Sequence, residues 1–166
     1  MLGLALAACV LWLVIALLPW RPWATSESLD APALNERHAF SDTTILIPAR
    51  NEADVIAPTL AAAAEQGKGV QIILVDDRSM DDTVSNAQRL ALHNLRVIAS
   101  ERLPPGWTGK FWALEQGRKH IETENLLLWD ADIVLVPGTL AALRAKMDLE
   151  DRQFVSLLAE LSYTKH

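Results

Sequence analysis

Four short apolar runs recur through the middle of the chain: TTILIPA (Thr43–Ala49), QIILVDD (Gln71–Asp77), LRVIAS (Leu95–Ser100) and LLLWDAD (Leu126–Asp132). Each is β-rich or continuously apolar, as a strand buried on both faces is. The stretches between them predict helices. Glu52–Gln66 is alanine-rich, and Asp82–His93 puts Val84, Ala87, Leu90 and Ala91 on one helical face. Lys110–Ile121 and Gly138–Met147 predict two more, and a last run, FVSLLAEL (Phe154–Leu161), reads as a strand, with the start of a helix as the alternative. Strands alternating with helices imply βαβ units, so the expected fold class is α/β with a mainly parallel sheet and right-handed crossovers. Leu126, Leu127 and Leu128 are expected to bury a central strand of it.

The N-terminus has a different pattern. No residue from Leu2 to Trp20 is charged, and the run ends at Pro19-Trp20-Arg21-Pro22-Trp23, where indoles and an arginine suit a membrane interface. A run of that length predicts a transmembrane helix over residues 1–20. A cleaved signal is less consistent, since no basic residue precedes the run and no convincing small-x-small cleavage site follows it. The box Leu6-Ala7-Ala8-Cys9 does not read as a lipidation site, because most of the apolar region follows it. Arg21 and Arg37 lie after the helix, which places the main domain in the cytoplasm, anchored to the cytoplasmic (inner) membrane. Residues 21–42 read as a linker and 43–166 as the folded domain. Cys9 is the sole cysteine, so no internal disulfide forms.

A net charge of −6 and a pI near 5.1 exclude a nucleic-acid surface, which needs clustered cations to neutralise phosphates. The acids fall instead at Asp76/Asp77, Asp81/Asp82 and Asp130/Asp132.

Ligands in open parallel sheets bind outside the carboxyl ends of the strands. Three polar sets follow strands directly: Pro48-Ala49-Arg50-Asn51-Glu52, Asp76-Asp77-Arg78-Ser79 and Asp130-Ala131-Asp132. Asn51 and Glu52 either accept hydrogen bonds from a ligand or cap the next helix. Asp76 or Asp77 at the sheet edge suits a ribose diol or a uracil N–H, since a carboxylate offers two acceptors in one plane. Asp81, Asp82 and Thr83 more simply cap a helix. Lys110 begins a helix against its dipole, which a nearby phosphate would explain, although an ordinary surface lysine is the alternative. Asp130 and Asp132 share one side of an extended strand, and a hard cation, Mg²⁺ or Mn²⁺, relieves their repulsion and bridges to diphosphate oxygens.

Taken together, IPARNE (Ile47–Glu52), VDDRSMDDT (Val75–Thr83), GKFWALEQG (Gly109–Gly117) and WDADI (Trp129–Ile133) resemble, in order, the family 2 glycosyltransferases, which have the GT-A (Rossmann-like) fold. PPGWTGK and WDADI are similar to the membrane-anchored, hopanoid-associated branch. The resemblance implies a metal-diphosphate motif at Asp130 and Asp132 and a nucleoside contact at Asp77, with Asp76 as its neighbour. It also implies a nucleotide pocket lined by Pro48, Ala49, Arg50 and Glu52, with Lys110 nearby. The implied reaction is metal-assisted, inverting transfer of a sugar from a nucleotide donor, often UDP-linked, to a lipid or other membrane-associated acceptor. The family's base lies downstream of the D-x-D strand. Glu150-Asp151 follows too closely for that role, and no Q-x-x-R-W occurs, so the chain is expected to be an incomplete, donor-binding part.

Two other readings fit parts of the pattern. Asp130-Ala131-Asp132-Ile133-Val134 matches the D-x-D-x-[TV] of haloacid-dehalogenase-type phosphatases, with Asp130 as nucleophile. That motif belongs after a first strand, whereas here three strands precede it. The other is a membrane-tethered nucleotide-binding module without catalysis of its own. A dinucleotide-binding domain is disfavoured, because no G-x-G-x-x-G follows the first strand.

Overall fold

In the computed structural model, residues 2–17, 28–31 and 39–158 are described. The elements are α1 (Leu2–Leu17), β1 (Thr43–Ala49), α2 (Ile56–Ala64), β2 (Gln71–Asp76), α3 (Thr83–Arg89), β3 (Leu95–Ala99), α4 (Gly109–Arg118), β4 (Asn125–Leu128) and α5 (Thr139–Leu149). The four strands form one sheet in the order β3-β2-β1-β4, and every pairing is parallel. The expected α/β fold is what forms.

Alternation along the strands decides which helix covers which face. Ile45, Ile47 and Ala49 of β1 and Ile72 and Leu74 of β2 pack with Ile56, Leu60 and Ala63 of α2, Ala87 of α3 and Leu140 and Ala141 of α5. Leu46, Ile73 and Val75 point to the other face and meet Ala113 and Leu114 of α4. The crossovers through α2 and α3 therefore run outward from β1 on one face, and the crossover through α4 returns past β1 on the other. Right-handed connections require that division when the strand order reverses. The reversal falls between β1 and β4, and the carboxyl ends of those two strands flank the crevice where such sheets take ligands.

The elements depart from expectation in several places. β4 is an edge strand of the described sheet, with Leu126 and Leu128 45% and 54% exposed, so only Leu127 of the three leucines packs into the core. β4 also stops at Leu128 instead of running to Asp132. Pro48 supplies the reason. Leu46 O accepts from Trp129 N at 3.1 Å, and Pro48, two residues on and facing the same neighbour, has no N–H to continue the ladder. α2 begins at Ile56, not at Glu52, because the backbone before it is tied to a neighbouring loop. Phe154–Leu158 lie in no strand, and the rest of that run is outside the described residues.

Packing starts ahead of Thr43. Phe40 is buried and bonds through its N–H to Lys68 O at 2.7 Å, while Ala39 bridges to Lys68. Asp42 then joins β1 to α5, accepting from Arg144 Nη2 at 3.0 Å and from Asn125 Nδ2 at 3.0 Å. The Arg144 hydrogen bond lowers the Asp42 carboxyl below its usual range against a smaller opposing effect of burial. Most of the expected linker lies outside the described residues.

α1 carries no charge, and its described side chains are exposed nearly all round, Leu4, Trp12 and Leu17 at 70% or more. Among the described residues no helix is long and apolar enough to cross a membrane, and Leu18–Trp20 fall outside them.

Candidate functional site

The site is built where β1, β2 and β4 release their chains. Residues Asp76 and Asp77 take opposite faces by alternation, and their surroundings differ accordingly. Asp76 Oδ1 accepts from Ser79 N at 3.2 Å, which makes it a shaper of its own loop. Asp77 falls on the α4 face and is 7% exposed. Its Oδ2 lies 3.6 Å from Arg50 Nη1, the guanidinium reaching over from the end of β1. A Cβ built on Gly109, the first residue of α4, would meet the same oxygen at 2.5 Å.

The loops after β1 and β2 are laced together. Asn51, in the left-handed region at φ 56°, accepts from Met80 N at 2.9 Å and donates its own N–H to Ser79 Oγ at 2.9 Å. Glu52 N donates to Thr83 Oγ1 at 2.8 Å, and Ala53 N donates to Asp81 Oδ2 at 3.1 Å. Thus Asn51 does not cap α2, and Asp81 serves both loops while also accepting from Thr83 N at 3.1 Å. These bonds leave the Glu52 carboxylate at the crevice, half-buried. Burial raises its pKa above the ordinary value, and the negative charges of Asp132 and then Asp81 raise it further.

The D-x-D segment is a turn, not the extended strand expected. Ile133 N donates to Asp130 O at 3.3 Å, and Trp129, buried, closes the turn through Nε1 to Ile133 O at 2.9 Å. Ala131 points inward at 5% exposed, and its carbonyl accepts from Thr59 Oγ1 of α2 at 2.8 Å. Anchoring the middle residue leaves the two flanking carboxylates outside the core. Asp130 Oδ1 is held 2.6 Å from Lys110 Nζ, and both side chains are about half exposed. This contact answers why a lysine opens α4. An ion pair so exposed is worth at most about 1 kcal/mol, so a stronger partner displaces it.

The predicted residues therefore converge in part. Arg50 and Asp77 pair beside the start of α4, Lys110 of α4 pairs with Asp130, Glu52 lies in the field of Asp132, and Pro48 and Ala49 end β1, with Ala49 packed in the core. Asp76 belongs to the loop scaffold. Thr59 was not singled out from the sequence, and Ser79 and Gly109 entered only as members of a polar set and a motif, without roles of their own. Glu150 is held by Lys146 Nζ at 2.6 Å and Arg152 Nε at 3.8 Å.

No cluster of three or more Asp, Glu, His or Cys able to hold a metal occurs among the described residues. Asp130 and Asp132 nonetheless fit a hard cation in donor type. Mg²⁺ and Mn²⁺ take oxygen ligands, and Mg²⁺ in particular is commonly bound by one or two carboxylates, substrate phosphates and waters.

Residues 44–160 match the sequence model described as "Glycosyl transferase family 2". The chain belongs to glycosyl transferase family 2. A 4,4'-diaponeurosporenoate glycosyltransferase of Staphylococcus aureus strain RF122 is 32% identical over 110 residues, covering 66% of this chain and 28% of the relative. The family 2 chain thus spans under a third of the length of the curated relatives it matches. Among solved structures, the mannosyltransferase PcManGT of Pyrobaculum calidifontis, in complex with GDP-Man and Mn²⁺, superposes with a TM-score of 0.62 at 25% identity. That match covers 87% of this chain and 43% of the other. S. aureus TarS 1-349 gives 0.53 at 26% identity over 66% of this chain and 33% of its own. Membership in a transferase family corrects the phosphatase alternative. Asp130 follows the fourth strand and pairs with a lysine, which is not the placement of a nucleophile after a first strand.

Proposed function

We propose that this chain is the donor-binding part of a membrane-anchored glycosyltransferase that takes a nucleotide-sugar, UDP-linked in our reading, and passes the sugar to a lipid or membrane-associated acceptor. The observation that carries it is that the first turn of α4 faces Asp77 through Gly109 and holds Asp130 of the Asp130-Ala131-Asp132 turn through Lys110, in a chain of this family. Asp77, buried beside α4, takes the nucleoside end of the donor. Asp130 and Asp132 hold Mg²⁺ or Mn²⁺ at the diphosphate end. The cation, when bound, neutralises the departing diphosphate. Lys110 then leaves Asp130 and turns its ammonium to the phosphates.

The Mn²⁺ in the mannosyltransferase complex supports the cation, and its GDP-Man supports a nucleotide-sugar donor. Relatives named for 4,4'-diaponeurosporenoate are in keeping with an apolar acceptor. The exposed, uncharged α1 supports an anchor, and Arg21 and Arg37 beyond it a domain in the cytoplasm. Inverting transfer and the hopanoid-associated branch rest on the motif resemblance.

Calorimetry with UDP and with GDP, each with and without Mn²⁺, tests the reading. UDP binding that strengthens with Mn²⁺ and loses that dependence in Asp132→Ala is the expected result. A parent protein that binds neither nucleotide overturns it, and GDP preferred over UDP overturns the choice of donor.

A further inference from the structure

We infer that Gly109 is a positioning residue for the nucleoside carboxylate Asp77, an inference resting on the donor-site reading above. Asp77 is buried, and its carboxylate accepts no hydrogen bond among the described residues. Two things bound its Oδ2: the Arg50 guanidinium at 3.6 Å and the first residue of α4. A Cβ on that residue would stand 2.5 Å from Oδ2 and 3.6 Å from Cγ, closer than real Cβ contacts allow in the first case. The same Cβ would come within 3.9 Å of Arg50 Nη1, so both members of the ion pair face the hydrogen of Gly109.

Gly109 has no left-handed backbone to accommodate, so conformation does not demand glycine there. Within a helix alanine is otherwise preferred to glycine. The need for glycine is steric and comes from the carboxylate across from it. One helix turn thereby sets both ends of the site. Gly109 admits Asp77 at the nucleoside end, and Lys110, the next residue, holds Asp130 at the diphosphate end.

The expected consequence is specific. Gly109→Ala pushes the Asp77 carboxylate out of line and weakens UDP binding by about tenfold or more, the usual worth of a hydrogen bond to a charged group. Thermal stability stays level or rises. In an Asp77→Ala background the same substitution costs nothing further, since the clash has gone with the carboxylate. The test is calorimetry of the parent, both single variants and the double variant with UDP and Mn²⁺. It is joined by carboxyl ¹³C spectra of the ligand-free proteins, in which Gly109→Ala moves the Asp77 signal. Equal UDP affinity in parent and Gly109→Ala overturns the inference, as does a loss that persists in full without Asp77, or an unmoved Asp77 carboxyl signal. A parent that binds no nucleotide, with the Asp77 signal shifted as expected, removes the donor-site reading while leaving the steric contact in place.

Discussion

Gly117 of α4 tests how closely that helix sits on the sheet. A Cβ added there would overlap Leu46 Cδ1 and stand 2.8 Å from Val75 Cγ2 and 3.2 Å from Leu46 Cδ2. Neither neighbour yields easily. Val75 is fully buried and β-branched, hence stiff at χ1, and Leu46 is 1% exposed within the cluster formed by Ile73, Val75 and Ala113. Overpacking of this kind costs about 1–3 kcal/mol, while replacing a helical glycine returns about 1 kcal/mol of propensity. Gly117→Ala should therefore lose up to about 2 kcal/mol net, a downward shift in the urea midpoint of up to roughly 1 M at ordinary m-values. Because α4 must lift to relieve the clash, Gly109 and Lys110 move with it, and UDP affinity falls alongside stability. Equilibrium urea unfolding with an unchanged m-value is the assay. A Gly117→Ala protein more stable than the parent by about 1 kcal/mol, the propensity gain alone, would refute the packing argument.

Three further outcomes follow from the geometry. Thr59→Val removes the hydroxyl from the buried Ala131 carbonyl, which should cost about 1–3 kcal/mol in urea unfolding and weaken Mn²⁺-dependent UDP binding, because the D-x-D turn loses its tie to α2. Asp42 has a lowered carboxyl pKa, so its contribution to stability is present above the unfolded value near 3.8 and lost as pH falls through the folded value. Asp42→Asn should lower stability at pH 7 by about 0.5 kcal/mol, a figure kept small by the partial exposure of the pair, and flatten the fall in stability below pH 4. Glu52 has the opposite sign: its raised pKa favours the fold when protonated, and that contribution fades as pH rises through the unfolded value near 4.5 toward the folded one. Carboxyl NMR titration should find Glu52 shifted down in Asp132→Asn yet still above its ordinary value, since burial is the larger cause.

The strands were legible because each is a short, nearly continuous apolar run, and β1 matches its expected span in full. The reversal in strand order was less so, since it depends on which face each crossover takes. What the sequence hid lies at the strand ends. Pro48 stood in plain view in the first strand, yet its effect on β4 needed the pairing partner, and that effect converts Asp130-Ala131-Asp132 from a strand into a turn. The role of Asn51 was misread for a similar reason. A cap and a cross-loop staple use the same side chain, and only the proximity of Met80 and Ser79 tells them apart. Lys110 was recognised as anomalous from its place at a helix start, but its partner is twenty residues on. Gly109 and Gly117 act through contacts with Asp77, Leu46 and Val75 that no local pattern marks.

The central claim is that Asp130 and Asp132 hold the cation beside a nucleotide seated at Asp77. Backbone amide spectra of the UDP-saturated protein, recorded as Mn²⁺ is titrated in place of Mg²⁺, test it most directly, since paramagnetic broadening fades steeply with distance. The signals of residues 130–133 and Lys110 should disappear at the lowest Mn²⁺ ratios, and in Asp132→Ala they should persist to much higher ones. Broadening that begins instead at Asp81 and Asp82, or at Asp148–Asp151, would contradict it.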